Sequence, residues 1–576
     1  MASHTPDERT PDRPDTGSAD LHRWTEMLGQ AQRAMLDAGL AAAAAPGIPV
    51  VPGLNDAATL ERAGAFWRDG LKLWQGLLDP KTDPAPEPVT DKRFKAPEWR
   101  RPGFEQLRRG YQLMADHLLA QVDAVQGLDP KRRDRFRFAV RGFIDAVSPS
   151  NFALTNPQVI ERTIATGGDN LIKGMANLLA DLKAGQLTHT DPAAFEVGRN
   201  LAVTPGEVVL RTPLFELIQY SPTTDRVLAT PLVIFPPWIN RFYILDLTPE
   251  KSFIRWAVEQ GLTVFMVSWK SADSSMKDIA WDDYVAAQIQ AIDTVRTALD
   301  APSVHTIGYC VAGTTLAATL AVLAAKGEAD KVASATFFTA QVDFSDAGEL
   351  SHFIDDDQLK SIASLSPDGY LDGRYMALTF NLLRGRDLIW NYVADNYLLG
   401  RDYTAFDLLH WNGDTTNLPA VWHLSYLTDL YRDNLLVEPG RLSIAGTPLD
   451  LTRVETPAYV QAGREDHIAP AASVWRSTRL FRGPVRFVLA GSGHIAGVVN
   501  PPAAGKYQYW RNDAAVDTLD DFVAGATETK GSWWPDWIGW LRDRDATETL
   551  ADGARLPGRG ALPTLGPAPG EYVRQR

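Results

Sequence analysis

Cysteine is nearly absent from this sequence: Cys310 is the only one in 576 residues, so no intrachain disulfide can form. An oxidising compartment is not required, and a cytoplasmic setting is expected. Basic residues are in deficit, with 57 Lys and Arg against 71 Asp and Glu and a net charge of −14. Such a surface argues against nonspecific nucleic-acid binding. An anionic substrate stays open, because a local basic mouth outweighs a screened net charge. Long apolar runs are missing too. None reaches the roughly 18 residues a transmembrane helix needs, and the N-terminus has no apolar stretch of signal-peptide type. Neither metal-ligand spacing nor a phosphate loop of the G-x-x-x-x-G-K type occurs.

What is there has three textures. Residues 1–20 are rich in Pro, Asp, Thr and Ser and are expected to form a disordered tail. Residues 21–195 read as a helical N-terminal domain, with a helix end at Leu40–Ala45 and with Leu107, Tyr111, Met114 and Leu118 at helical spacing. Its basic run Lys131–Arg137 suits a solvated helix face, with contact to a polyanion or a partner as the alternative. From residue 196 to 576, short β-branched runs alternate with helical stretches. Glu207–Thr212 and Leu214–Tyr220 suggest an edge hairpin. Pro231–Phe235, Thr263–Val267, Val304–Ile307, Ala335–Phe338, Ala458–Gln461 and Val485–Leu489 suggest buried strands. Helices are expected at Trp281–Leu299 and Thr314–Ala325. Such alternation implies a mostly parallel sheet with helices on both faces. About residues 341–455 break the rhythm and are crowded with aromatics, including Trp390, Tyr397, Trp411, Trp422, Tyr426 and Tyr431. They read as a cap inserted over the C-terminal edge of the sheet, a separate hydrophobic core being the alternative.

The stretch Val304–Thr314 carries the chemistry. A strand enters a sharp turn at Gly308-Tyr-Cys-Val-Ala-Gly313 and leaves as an Ala/Leu-rich helix. This is the layout of a nucleophile elbow with cysteine in the nucleophile position, which predicts an α/β-hydrolase fold. A helix N-terminus behind Cys310 favours negative charge on sulfur, and the Val311 N–H is a candidate oxyanion donor. The order nucleophile, acid, histidine then selects Asp466, after one late strand, and His494, after the next. His467 is the competing base, disfavoured because it shares a short loop with its own orienting acid. His305 is expected to be a core histidine. Gly491-Ser-Gly493 hints at a dinucleotide loop, but the third glycine, Gly497, comes one residue too late. A second oxyanion donor is expected in the loop Phe235–Arg241, from the N–H of Trp238 or Ile239, since Pro236 and Pro237 have none. A rigid turn holding a packed tryptophan is the other reading of that loop.

Most of residues 140–576 closely resemble the polyhydroxyalkanoate synthases. The resemblance rests on Phe235–Leu247, Phe265–Trp269, Trp281–Tyr284, the elbow, Asp343–Asp346, Trp390–Tyr392, Asp395–Tyr397, Phe406–Leu409, Trp411–Asp414, Arg464–His467, Ser492–Gly497 and Gly531–Pro535. One departure is Ala312, where the family commonly has the first of two paired glycines; it is not expected to abolish activity. The resemblance implies a class I enzyme. It would polymerise (R)-3-hydroxyacyl-CoA, such as 3-hydroxybutyryl-CoA, onto a growing polyester chain and release CoA. Cys310 would carry the acyl group, without metal or redox cofactor. It also implies a homodimer at the surface of intracellular polyester granules. Two rivals stand beside it: a cysteine-dependent acyl-CoA thioesterase of the same fold, and an inactive granule-coating scaffold.

Overall fold

The computed structural model describes residues 64–66, 68–71, 89–125 and 127–576. The expected tail at 1–20 and helix end at Leu40–Ala45 lie outside them, as does much of the first part of the N-terminal domain. The chain divides into two compact units, residues 1–189 with 380–403, and residues 190–379 with 404–576.

The first unit is helical where described: α1 (Phe104–Ala124), α2 (Pro130–Ala146), α3 (Pro157–Thr166) and α4 (Asp169–Ala184). Tyr111 of α1 is buried with Phe94, Trp99 and Ile144, and Met114 and Leu118 pack against that cluster. Leu107, on the same periodic stripe, is 38% exposed. The basic run opens α2, where Asp129 caps the helix by accepting the Arg132 N–H at 3.0 Å. Asp123 pairs with Arg137. Residues 380–403 of the long insertion belong to this unit. Asn170 donates to Leu398 O at 2.7 Å, Tyr397 donates to Asp181 at 2.5 Å, and Gly174 lies where any Cβ would collide with Tyr397 O.

The second unit is built on an eleven-stranded sheet. Its strands are β1 (Gly206–Arg211), β2 (Phe215–Tyr220), β3 (Leu232–Phe235), β4 (Val264–Trp269), β5 (Val304–Tyr309), β6 (Val332–Phe338), β7 (Ala458–Gly463), β8 (Val485–Ala490), β9 (Gln508–Arg511), β10 (Thr527–Lys530) and β11 (Gly566–Pro567). They lie in the order 10-9-8-7-6-5-3-4-2-1-11. The six strands from β4 to β8 in that order are parallel, and the outer ones are antiparallel. All expected strands are present within a few residues of their sequence limits. β9, β10 and β11 were not foreseen; β9 and β10 are short and polar, and β11 is only two residues long. The helices α5 (Phe253–Glu259), α6 (Trp281–Leu299) and α7 (Val311–Lys326) connect the first four parallel strands. The residues of α7 from Val311 to Leu323 are all buried, which is why that helix reads as apolar on every side.

The chain runs from β3 outward to β4, then back across β3 to β5. Strand order therefore reverses between β3 and β5, and at such a switch point the loops beyond the two strands part to leave a crevice. Phe235, at the end of β3, stands opposite Gly308 of β5. The loop from Pro236 and the turn at Cys310 thus leave the sheet side by side. Between β6 and β7 the chain adds no strand to this sheet; it forms one short hairpin, Ser443–Ile444 with Thr447–Pro448, and a two-residue pairing of Tyr370–Leu371 with Leu418–Pro419. Trp422, Tyr426 and Leu430 from this stretch are buried in the same hydrophobic core as β3 to β7.

Candidate active site

Cys310 stands between β5 and α7 with φ 53° and ψ −126°, a backbone region that residues with a side chain seldom occupy. The surroundings force this. The Cys310 N–H donates to Phe338 O at 2.9 Å, continuing the ladder, while Cys310 O already accepts from Gly313 and Thr314 of the helix. Strand and helix meet so closely that a Cβ on Gly308 would lie 2.5 Å from Gly313 Cα. A Cβ on Gly313 would lie 2.4 Å from Ala340 Cβ. Both glycines are therefore required by space. Ala312 is different: it is buried, and its carbonyl accepts from Gln288 at 3.0 Å.

Asp466 and His494 come from the loops after β7 and β8, which are parallel neighbours. Glu465 N–H donates to Ser492 O at 3.1 Å and Arg464 N–H to Ala490 O at 2.8 Å, tying the two loops together. Asp466 is buried. Its Oδ1 accepts the N–H groups of Ile468 and Ala469 at 2.8 and 2.9 Å, and its Oδ2 lies 2.7 Å from His494 Nδ1. The same imidazole also interacts electrostatically with the Cys310 side chain. Burial disfavours the charged imidazole. The charges of Asp466 and Cys310 and their hydrogen bonds outweigh it, so the His494 pKa lies well above the ordinary histidine value. The fold thus brings Cys310, Asp466 and His494 into one contact chain. His467 is not in that chain; its carbonyl accepts from Glu349 N–H at 3.3 Å. His305 is a core residue, 2.8 Å from Ser334 Oγ, and burial holds its pKa at about 4.

Val311 is the first residue of α7, where backbone N–H groups have no partner within the helix. Trp238 is buried, its ring stacked 3.9 Å from Tyr284 and edge-on to Trp269 and Trp422. Ile239 is half-buried beside the same core.

Several residues near the site were visible in the sequence only as parts of motifs. Tyr426 is buried and Tyr431 half-buried beside it; their pKa values are raised by burial, with a further contribution from charge at Cys310. Trp533 and Trp534 donate their indole N–H groups to Gly497 O and Val498 O at 2.8 and 2.9 Å, fixing the chain just beyond His494. In the sequence they appear only within the motif Gly531–Pro535. Among the described residues no group of three or more His, Cys, Asp or Glu could hold a metal ion.

A mostly parallel sheet, a strained turn into a helix at its centre, and an acid and a histidine on later loops define a protein of the α/β-hydrolase fold. The α/β-hydrolase family model matches residues 231–501, and the model for the N-terminus of poly-beta-hydroxybutyrate polymerase matches residues 90–257. A poly(3-hydroxyalkanoate) polymerase of Methylorubrum extorquens is 46% identical over 89% of this chain and 85% of its own length. That of Cupriavidus necator is 42% identical over 97% of this chain and 96% of its own. The chain belongs to the poly(3-hydroxyalkanoate) polymerase family, and it is an enzyme of acyltransferase type. Among the described residues no helix is long and apolar enough to cross a membrane.

Proposed function

We propose that this protein is a class I polymerase that joins (R)-3-hydroxyacyl-CoA units, with 3-hydroxybutyryl-CoA as the representative substrate, through an acyl group held on Cys310. The single observation that carries the mechanism is the contact chain Asp466–His494–Cys310 at the nucleophile elbow. His494 takes the thiol proton as sulfur attacks the thioester carbonyl. The developing oxyanion is met by backbone N–H groups, Val311 and one from the loop after β3. As the tetrahedral centre collapses, the carbon–sulfur bond to CoA breaks and the proton passes from His494 to the departing thiolate. In the second half, His494 takes the proton of a 3-hydroxyl group. The new ester bond forms as the acyl–sulfur bond to Cys310 breaks, and His494 returns the proton to the departing Cys310 thiolate. The substrate thioester is already activated, so no further cofactor enters; CoA is only the leaving group.

The reading extends to a homodimer in the cytoplasm, working at the surface of the polyester it makes. Its nearest rival, a thioesterase, would use water as acceptor. The two part on one measurement: incubation with 3-hydroxybutyryl-CoA, following free CoA and products. CoA release with insoluble polyester supports the polymerase. Equimolar CoA and free 3-hydroxybutyrate would overturn it. CoA release that survives in the Cys310→Ala protein would remove the cysteine mechanism.

A further inference from the structure

Between Trp411 and Thr416 the chain has a motif that the triad does not explain, and all of it bears on the loop after β3. Trp411 Nε1 donates to Arg241 O at 2.7 Å. Asp414 accepts from Tyr243 at 2.9 Å and faces the Arg241 guanidinium at 3.5 Å. Arg241, 2% exposed, donates in turn to Thr415 O at 3.3 Å and Gln575 O at 2.6 Å. Thr415 forms an isolated antiparallel bridge with Asn240. The last contact is the informative one: the Thr416 hydroxyl, itself buried, donates to Trp238 O at 2.6 Å.

A trans peptide points its C=O and its N–H in opposite directions. Thr416, by holding the carbonyl of the Trp238–Ile239 peptide, sets the direction of the Ile239 N–H. No hydrogen bond within the protein engages that N–H among the described contacts. The opposite side of the loop is also pinned, since Trp269 Nε1 donates to Pro236 O at 2.8 Å. A donor aimed at a developing oxyanion is effective only if it needs no reorientation during the reaction.

We propose that Thr416 is a positioning residue that aims the Ile239 N–H, and that Ile239 rather than Trp238 supplies the second oxyanion donor. Holding the Trp238 carbonyl leaves the preceding peptide, which carries the Trp238 N–H, unfixed by this contact. The inference rests on the polymerase reading above, and it deepens that reading by naming the donor and what sets its direction.

The test compares full-length wild type, Thr416→Val, Thr416→Ser and a protein whose Ile239 is replaced by its α-hydroxy acid, which turns the N–H into an ester oxygen. The assay is CoA release from 3-hydroxybutyryl-CoA, with folding checked by circular dichroism. Thr416→Val lowers kcat between about 10- and 100-fold with KM within about twofold. Thr416→Ser, which keeps the hydroxyl, recovers most of it. The ester at 239 lowers kcat at least as much, and adding Thr416→Val to it brings no further loss. Thr416→Ala, which adds no atom to the site, repeats the comparison if the valine packs poorly. Unchanged kcat in the Val and Ala proteins would overturn the positioning role, as would a loss that multiplies with that of the ester. An inert ester at 239 in an active enzyme would overturn the choice of donor. A wild type that makes no polyester would instead strike the polymerase reading itself.

Discussion

Asp466 Oδ2 meets His494 Nδ1 at 2.7 Å while Asp466 Oδ1 is held by two backbone N–H groups of its own loop. The carboxylate therefore has one orientation, and so does the imidazole. A replacement at 466 acts mainly through the proton on His494. In Asp466→Asn the amide oxygen keeps the two N–H bonds and the NH₂ group turns toward Nδ1. That favours the tautomer with its hydrogen on Nε2, which cannot accept a proton from an incoming group. A hydroxyl ionises far less readily than a thiol, so chain elongation suffers more than acylation. Rapid mixing with one equivalent of substrate should give a CoA burst of up to one per site, then very slow turnover with an acyl-enzyme seen by intact mass. Unimpaired elongation would place the acid elsewhere.

Removal of the sulfur is expected to stop the reaction. Cys310→Ala should lower CoA release by more than about 10³-fold, in line with loss of a nucleophile acting as part of a unit. Cys310→Ser should lose most activity as well. The check is initial CoA release at saturating substrate; near-normal rates in either protein would sink the assignment.

The two histidines that compete on paper are separated by contact. His494→Gln should be at least about 10³-fold slower than wild type, whereas His467→Gln should stay within about tenfold. A reversed order in steady-state kcat would show that the base is His467.

Buried histidines give an acid sensitivity with a definite sign. His305 is held at about 4 by burial, below its unfolded value of 6.5. Its neutral form is therefore favoured in the folded state, and stability is lost as pH falls through 6.5 toward 4, where only the unfolded chain takes up the proton. Denaturant unfolding at pH 7.5 and pH 5 should show wild type losing about 2 kcal/mol relative to His305→Gln over that interval. An equal pH response of the two proteins would contradict this.

The elbow glycines make opposite predictions at neighbouring positions. Gly313→Ala places a methyl 2.4 Å from Ala340 Cβ. It should destabilise the fold by about 1–3 kcal/mol and depress activity. Ala312→Gly, which restores the family's commoner residue, should leave turnover within about twofold. Thermal melts and CoA-release rates on the two proteins decide both.

The order of strands and helices in the second unit was legible because buried parallel strands are rich in apolar and β-branched residues, as β3 to β8 are, with a few polar residues such as His305, Thr306 and Gln461 among them. The placing of Cys310, Asp466 and His494 near one another was legible for a related reason: each follows a recognisable strand, so their order along the chain carries the geometry. Strands β9 to β11 were not, because Tyr509 and Trp510 sit among polar residues and β11 is too short to show a period. Aromatic content marks about residues 341–455 as a single insertion, yet residues 380–403 group with the N-terminal helices. Aromatic content alone does not say which partner a segment packs against.

By itself the sequence determined that a lone cysteine sits at a strained strand-to-helix turn, with an acid and a histidine on the right later loops. These follow from local pattern and chain order. Tertiary packing is what brings His494 rather than His467 onto Asp466, and what lets Thr416, 178 residues from Trp238 in the chain, hold its carbonyl. Contacts of that kind depend on where the sheet reverses its strand order and on a few tenths of an ångström in side-chain placement. No periodicity in the chain encodes either.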